Sequence, residues 1–219
     1  MVEGIIFDVD GTILNSMTIW MEAGILYLKT LGIHEEDNLG EILFSLTMKE
    51  GAEYIKNTYQ LNLSVRDIID GVNNTVYKFY AENVQPKEGI VQFLQCVYDK
   101  KIPMTIATST DRTLIEIALK RLGIEKFFQK IFTTSEIGKG KDEPDIYIEA
   151  QKCMKSSRKN TWLIDDAAYA LKTAAEHGFR TVGIFDFSSD KDQEEVRSVS
   201  DLYIREWGEY ETLIKEMNM

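Results

Sequence analysis

Gly4-Ile5-Ile6-Phe7-Asp8-Val9-Asp10-Gly11-Thr12 is a short, unbroken apolar run that stops at two acidic residues, a glycine and a threonine. An apolar run without polar alternation is the pattern of a strand buried on both faces, as in a parallel sheet covered by helices. Four more short runs follow, Pro103 to Ala107, Lys130 to Thr133, Thr161 to Ile164 and Arg180 to Ile184. Helical patterns lie between and after them, over Gly89 to Lys100, Asp111 to Leu122, Asp145 to Lys155 and Ala167 to His177, the last stopped by Gly178. In the second of these, Leu114, Ala118 and Leu122 are expected on one face. Strands alternating with such helices build βαβ units. The expected fold class is therefore α/β, a doubly wound parallel sheet forming a Rossmann-like core.

One segment breaks the alternation. Helical patterns over Met17 to Leu31, Thr47 to Tyr59 and Ser64 to Glu82 follow one another with no strand between them, which is too much chain for a single crossover. Pro86 and Gly89 mark the return to the alternating pattern. The predicted organisation is a core of residues 1–16 and 84–219 with an inserted all-helical domain over 17–83.

Composition narrows the class. The 219 residues are 44% apolar and 28% charged, the balance of a globular chain and not of a disordered or fibrous one. Lys and Arg number 25 against 36 Asp and Glu, a net charge of −11 with no basic cluster, which argues against a nucleic-acid partner. The same charge means that a small anionic substrate must be drawn in by a local cation or metal. His34 and His177 are too far apart in sequence to suggest a metal motif. Cys96 and Cys153 form no CxxC, so both thiols are expected to be buried in a reducing compartment. The first apolar run is too short for a signal-peptide core, and no run approaches the ~20 residues that span a bilayer. The expectation is a soluble cytoplasmic protein, a monomer or weak homodimer, with no membrane partner.

Ligands of open parallel sheets bind beyond the carboxyl ends of the strands, and four polar segments lie at or just beyond such ends. In Asp8-Val9-Asp10-Gly11-Thr12, two close carboxylates repel unless one is protonated or a metal joins them, and Gly11 permits a sharp turn. In Thr108-Ser109-Thr110-Asp111, either Thr110 or Asp111 reads as a helix cap, while Thr108 and the backbone N–H of Ser109 lie where a phosphate could be held. Gly138-Lys139-Gly140-Lys141-Asp142-Glu143-Pro144-Asp145 is a solvated loop if taken alone, yet beside carboxylates and a phosphate one of its lysines gains a role. Asp165-Asp166 is a second acidic pair ending a strand, and a cap explains only one of the two. Hard oxygen donors without His or Cys suit Mg²⁺.

On these motifs, hhhDxDGT first and the Thr, Lys and acidic-pair segments in that order, the chain resembles the haloacid dehalogenase superfamily over essentially its whole length. Within it the chain looks like the phosphatase subgroup with a helical cap after the first strand, similar to phosphoglycolate phosphatases and β-phosphoglucomutase. The resemblance implies that Asp8 is the nucleophile and Asp10 the general acid/base, that Thr108, Ser109 and Lys141 hold the phosphoryl group, and that Mg²⁺ is bound by Asp8, the backbone carbonyl of Asp10 and Asp166, with Asp165 in support. The implied activity is hydrolysis of a small-molecule phosphate ester through an aspartyl-phosphate on Asp8.

Departures from the family pattern are visible at Asn15, Asp142 and Ala167, and Lys139 competes with Lys141 for the lysine role, Lys141 matching the family's K-x-x-P-D spacing. Trp20 stands where β-phosphoglucomutase-like members carry a His, which weakens the alternative of a phosphomutase. An alkoxide leaving group needs the proton that Asp10 would supply and a halide does not, so dehalogenation is disfavoured. A receiver-like signalling domain and a catalytically silent binding protein are the readings outside enzymology. The DxDGT arrangement and the insert argue against the first, the complete motif set against the second. Trp20, Tyr27, Lys49 and Lys56 are candidates for the inner face of the cap.

Overall fold

The computed structural model describes residues 1–44 and 46–219, Phe44 by its backbone alone. The chain divides into two compact units, one joining Met1–Asn15 to Gln85–Met219, the other Ser16–Val84. In chain order the strands are β1 (Gly4–Phe7), β2 (Met104–Thr108), β3 (Ile131–Thr133), β4 (Thr161–Asp165), β5 (Arg180–Ile184) and β6 (Leu202–Ile204). The α-helices are α1 (Met17–Thr30), α2 (Leu39–Phe44), α3 (Met48–Thr58), α4 (Val65–Lys78), α5 (Ile90–Asp99), α6 (Arg112–Leu122), α7 (Thr134–Ile137), α8 (Asp145–Met154), α9 (Ala168–Glu176), α10 (Gln193–Val199) and α11 (Tyr210–Glu216).

The larger unit is built on one parallel sheet of order β3-β2-β1-β4-β5-β6. Successive side chains of a strand point to opposite faces, and β1 uses both for core. Ile6, with Leu163 of β4, joins a cluster containing Ile146, Tyr147 and Ala150 of α8. Phe7 points the other way, its ring edge-on to Phe93 of α5 at 6.1 Å and to Phe128 at 5.8 Å. Phe93 in turn lies 4.8 Å from the ring of Trp207, which is fully buried. Each such aromatic contributes roughly 1.5–3 kcal/mol by leaving water, so both helical layers are held to the sheet through its central strand.

Three readings of the sequence need correction. The buried stripe of α6 is Ile115, Ala118 and Leu119, with Leu114 and Leu122 only half-buried, so the face is rotated by about one residue from the expected one. Cys96 and Cys153 are half-buried, not buried. The sheet has a sixth strand, β6, whose Leu202 and Tyr203 are half-buried at the sheet edge.

Among the described residues of the smaller unit, the regular secondary structure is all helical. Thr47 and Glu50 form a reciprocal capping box at the start of α3, and Ser64 and Asp67 form another at α4, which satisfies backbone donors that a helix start leaves open. Tyr27 of α1 is buried against α4, where a Cβ at Gly71 would overlap its ring. Trp20 packs against Tyr80 with ring centroids 6.4 Å apart. The segment expected to continue α4 to Glu82 is wound as a π-helix over Phe79–Asn83, closed by a bond from Val84 N to Phe79 O of 2.8 Å. Among the described residues no helix is long and apolar enough to cross a membrane.

Candidate active site

Between β1 and β4 the strand order reverses, and at such a switch point a doubly wound sheet opens a crevice at its carboxyl edge. Phe7 is in register with Ile106 of β2 and Ile164 of β4. The next residue, Asp8, donates its N–H to Ile164 O at 2.9 Å, so register alone brings it beside Asp165 and near the end of β2. The chain then turns at Gly11, whose φ of +83° disfavours a side chain. Space demands glycine there as well, since a Cβ would come within 2.7 Å of Asp166 Oδ2. Thr12 donates from Oγ1 to Asp166 Oδ1 at 3.4 Å, and its carbonyl accepts from the buried indole of Trp207 at 2.8 Å.

Asp8, Asp165 and Asp166 are buried, and one carboxylate oxygen of each lies within 4.8 Å of the others. Lys141 is buried among them. Its ammonium donates to Asp8 Oδ1 and, at 2.9 Å, to Asp165 Oδ2, while Tyr147 of α8 donates its hydroxyl to the Lys141 carbonyl at 3.1 Å. Lys139, the rival in the same loop, is exposed and pairs with Asp145 at 3.0 Å. Asp165 Oδ1 also accepts from Ala167 N at 3.0 Å, so both its oxygens are engaged within the chain. Asp8 Oδ2 is buried with no hydrogen-bond partner among the described residues.

Three buried carboxylates against one ammonium is an unbalanced set, and the titration of Asp8, Asp166 and Lys141 reflects this. Burial pushes the Asp8 carboxyl up to about 7, Asp165 and Asp10 adding to the shift and Lys141 opposing it. Burial, followed by the charges of Asp8 and Asp165, likewise holds Asp166 well above the usual carboxylate range. Burial alone would push the Lys141 ammonium down, but Asp165 and Asp8 outweigh it and keep the lysine firmly protonated. The cluster therefore asks for positive charge that the protein does not itself supply, and its hard oxygen donors are those a divalent cation takes.

The remaining predicted residues form an adjoining group. Thr108, at the end of β2, is fully buried and accepts from Thr110 N at 3.1 Å. A hydroxyl that accepts this bond keeps its own proton for a second partner. Ser109 is exposed. Thr110 donates from Oγ1 to Asp10 Oδ2 at 2.7 Å, so Asp10 is tied to the β2 loop by a contact between residues a hundred positions apart. The helix cap that the sequence assigned to either Thr110 or Asp111 is Asp111, which accepts from Thr113 N at 2.8 Å. Thr12, Thr110 and Tyr147 were not singled out as site residues. Thr12 lies inside the DxDGT segment and Thr110 next to the phosphate-binding candidates, whereas nothing local marks Tyr147.

The model of the haloacid dehalogenase-like hydrolase family matches residues 5–184, a span that includes all four polar segments. A phosphorylated carbohydrates phosphatase of Thermotoga maritima is 21% identical over 180 residues, covering 82% of this chain and 83% of its own. Among solved structures, a candidate β-phosphoglucomutase from Thermotoga maritima superposes with a TM-score of 0.87 at 20% identity, covering 98% of this chain and 99% of that one. CbbY from Rhodobacter sphaeroides, in complex with phosphate, gives a TM-score of 0.73 at 21% identity, with coverage of 95% and 96%. At these identities the superpositions speak for the fold, while the family match extends over the strands and loops that carry Asp8, Thr108, Lys141 and Asp166. The chain belongs to the haloacid dehalogenase-like hydrolases.

Proposed function

We propose that this protein is a Mg²⁺-dependent phosphatase that hydrolyses a small phosphorylated metabolite through an aspartyl-phosphate intermediate on Asp8. One observation carries the reading: Asp8 presents a buried carboxylate oxygen with no hydrogen-bond partner among the described residues, while Lys141 holds the other. A nucleophile needs such an oxygen, and so does a metal ligand. The donor set suits a divalent cation, held by Asp8 and Asp166 with the Asp10 carbonyl, and with Asp165 orienting Lys141 beside it. Bound there, Mg²⁺ supplies charge that offsets the repulsion between carboxylates and phosphate.

The residues divide the work. Thr108, Ser109 N–H and Lys141 hold the phosphoryl oxygens. A carboxylate oxygen of Asp8 attacks phosphorus, the bond from phosphorus to the ester oxygen breaks, and Asp10 gives its proton to that oxygen. In the second half Asp10 takes a proton from water, whose oxygen attacks phosphorus. The bond to Asp8 then breaks, releasing phosphate and restoring both carboxyl groups. Residues 17–83 act as a cap that excludes water during the first half and selects the organic part of the substrate. Within that cap, Tyr27 belongs to its core and Trp20 packs against Tyr80, while Lys49 is exposed and Lys56 half-buried, which leaves these two lysines as the candidates for substrate contact.

The phosphorylated carbohydrates phosphatase among the relatives makes sugar phosphates the first compounds to try. A panel of phosphorylated metabolites assayed with and without Mg²⁺ should give metal-dependent phosphate release from at least one, and none with Asp8→Asn. Activity retained by Asp8→Asn would refute the reading. Isomerisation primed by a sugar bisphosphate, with little free phosphate, would favour a phosphomutase instead.

A further inference from the structure

We infer that Thr110 is the positioning residue of the general acid/base, fixing the carboxyl group of Asp10 for proton transfer to the leaving group; this rests on the phosphatase reading above. Asp10 is half-buried at the rim of the acidic cluster, and a short side chain there has rotational freedom that must be lost before a proton can be handed over along a defined line. Thr110 is 8% exposed and donates to Asp10 Oδ2 at 2.7 Å, the length of a well-formed O–H···O bond. Its own backbone is fixed on both sides. The N–H donates to Thr108 Oγ1, and the next residue, Asp111, is locked as the cap of α6.

The consequence is a chain of contacts from helix α6 through Thr110 to Asp10, with Thr108 on the same loop facing the phosphoryl group. One loop thereby sets both the hydroxyl that holds phosphate and the carboxyl that protonates the departing oxygen. Preorganisation of this kind matters because a misplacement of about 1 Å can cost on the order of a hundredfold in rate. The bond to Thr110 is also compatible with both halves of the cycle, since Oδ2 can accept from the hydroxyl whether Asp10 is ionised or protonated.

Substituted phenyl phosphates, from p-nitrophenyl to p-methylphenyl, test this, because they share one shape and differ in how much they need a proton on the leaving oxygen. With Thr110→Val, kcat/KM should fall roughly tenfold or more for p-methylphenyl phosphate, a fraction of what general acid catalysis provides, and several-fold less for p-nitrophenyl phosphate. The dependence on leaving-group acidity thus steepens, and Thr110→Ser should return it to the wild-type slope. Equal losses along the series, which leave the slope unchanged, would overturn the inference by showing that Thr110 serves only the phosphate loop, and so would no loss for any member. If the valine variant does not fold, Thr110→Ala is read against Thr110→Ser in the same way. Wild-type protein that releases no phosphate from any ester, or Asp8→Asn that remains active, would instead defeat the underlying phosphatase reading.

Discussion

The helical unit and the sheet unit treat carboxylates in opposite ways. Glu50 and Asp67 stay at the surface, where each closes a capping box with Thr47 or Ser64 and both are held below the ordinary carboxylate range by those hydrogen bonds. Asp8, Asp165 and Asp166 are drawn together out of water, and Asp8 and Asp166 are pushed upward. An exposed cap helps the fold for little desolvation cost, whereas burying like charges works against the fold. A chain that can satisfy its carboxylates at helix starts and yet gathers three of them at a strand switch point has put them there for something other than stability.

Removing Lys141 should break this contrast most severely. Lys141→Ala leaves two buried carboxylates without their cation, so about 3–5 kcal/mol of stability should be lost in a denaturant titration, along with phosphatase activity. Exposed Lys139, changed to Ala, should alter stability by no more than about 0.5 kcal/mol.

The pH dependence sharpens the comparison. Asp8 titrates near 7 in the folded chain against ~3.9 for an ordinary aspartate. A carboxyl raised on folding binds its proton more tightly in the native state, so its favourable contribution is complete below the unfolded value and is lost as pH rises through about 7. In chelator, the Asp8 contribution to thermal stability should therefore decline between about pH 4 and 7, and Mg²⁺ should flatten or reverse that decline. Magnesium affinity should weaken as pH falls below about 7, by up to tenfold per unit, because the proton and the cation compete for Asp8. A metal affinity indifferent to pH across this range would argue that Asp8 is not a ligand. At the surface capping box the effect is smaller than at Lys141: Ser64→Ala should cost about 1 kcal/mol, seen as faster hydrogen exchange in α4.

Much of this arrangement was legible in the residues because burial on both faces erases polar alternation. Five strands of the sheet stand out as apolar runs, and Asp8, Thr108 and Asp165 lie at or just past the ends of theirs. The sixth, β6, is three residues long at an edge, flanked by Asp201 and Arg205, and offers no run to find. Helix α2 is too short to display a period. The face of α6 was misplaced because leucines at Leu114 and Leu122 suggested a stripe, whereas Ile115 and Leu119 are the ones that reach the core. At the site, residue types and spacing pointed to Lys141 and the acidic pairs. They could not point to the bond from Thr110 to Asp10 or from Thr12 to Asp166, which depend on how loops from different strands meet.

The central claim is that phosphorus is transferred to the Asp8 carboxylate. Acid quenching during turnover of an active phosphate ester with Mg²⁺, followed by borohydride reduction and peptide mapping, should reveal homoserine in place of Asp8, the product expected only from an aspartyl-phosphate. Intact Asp8 under conditions of demonstrated turnover, together with phosphate release by Asp8→Asn, would contradict it.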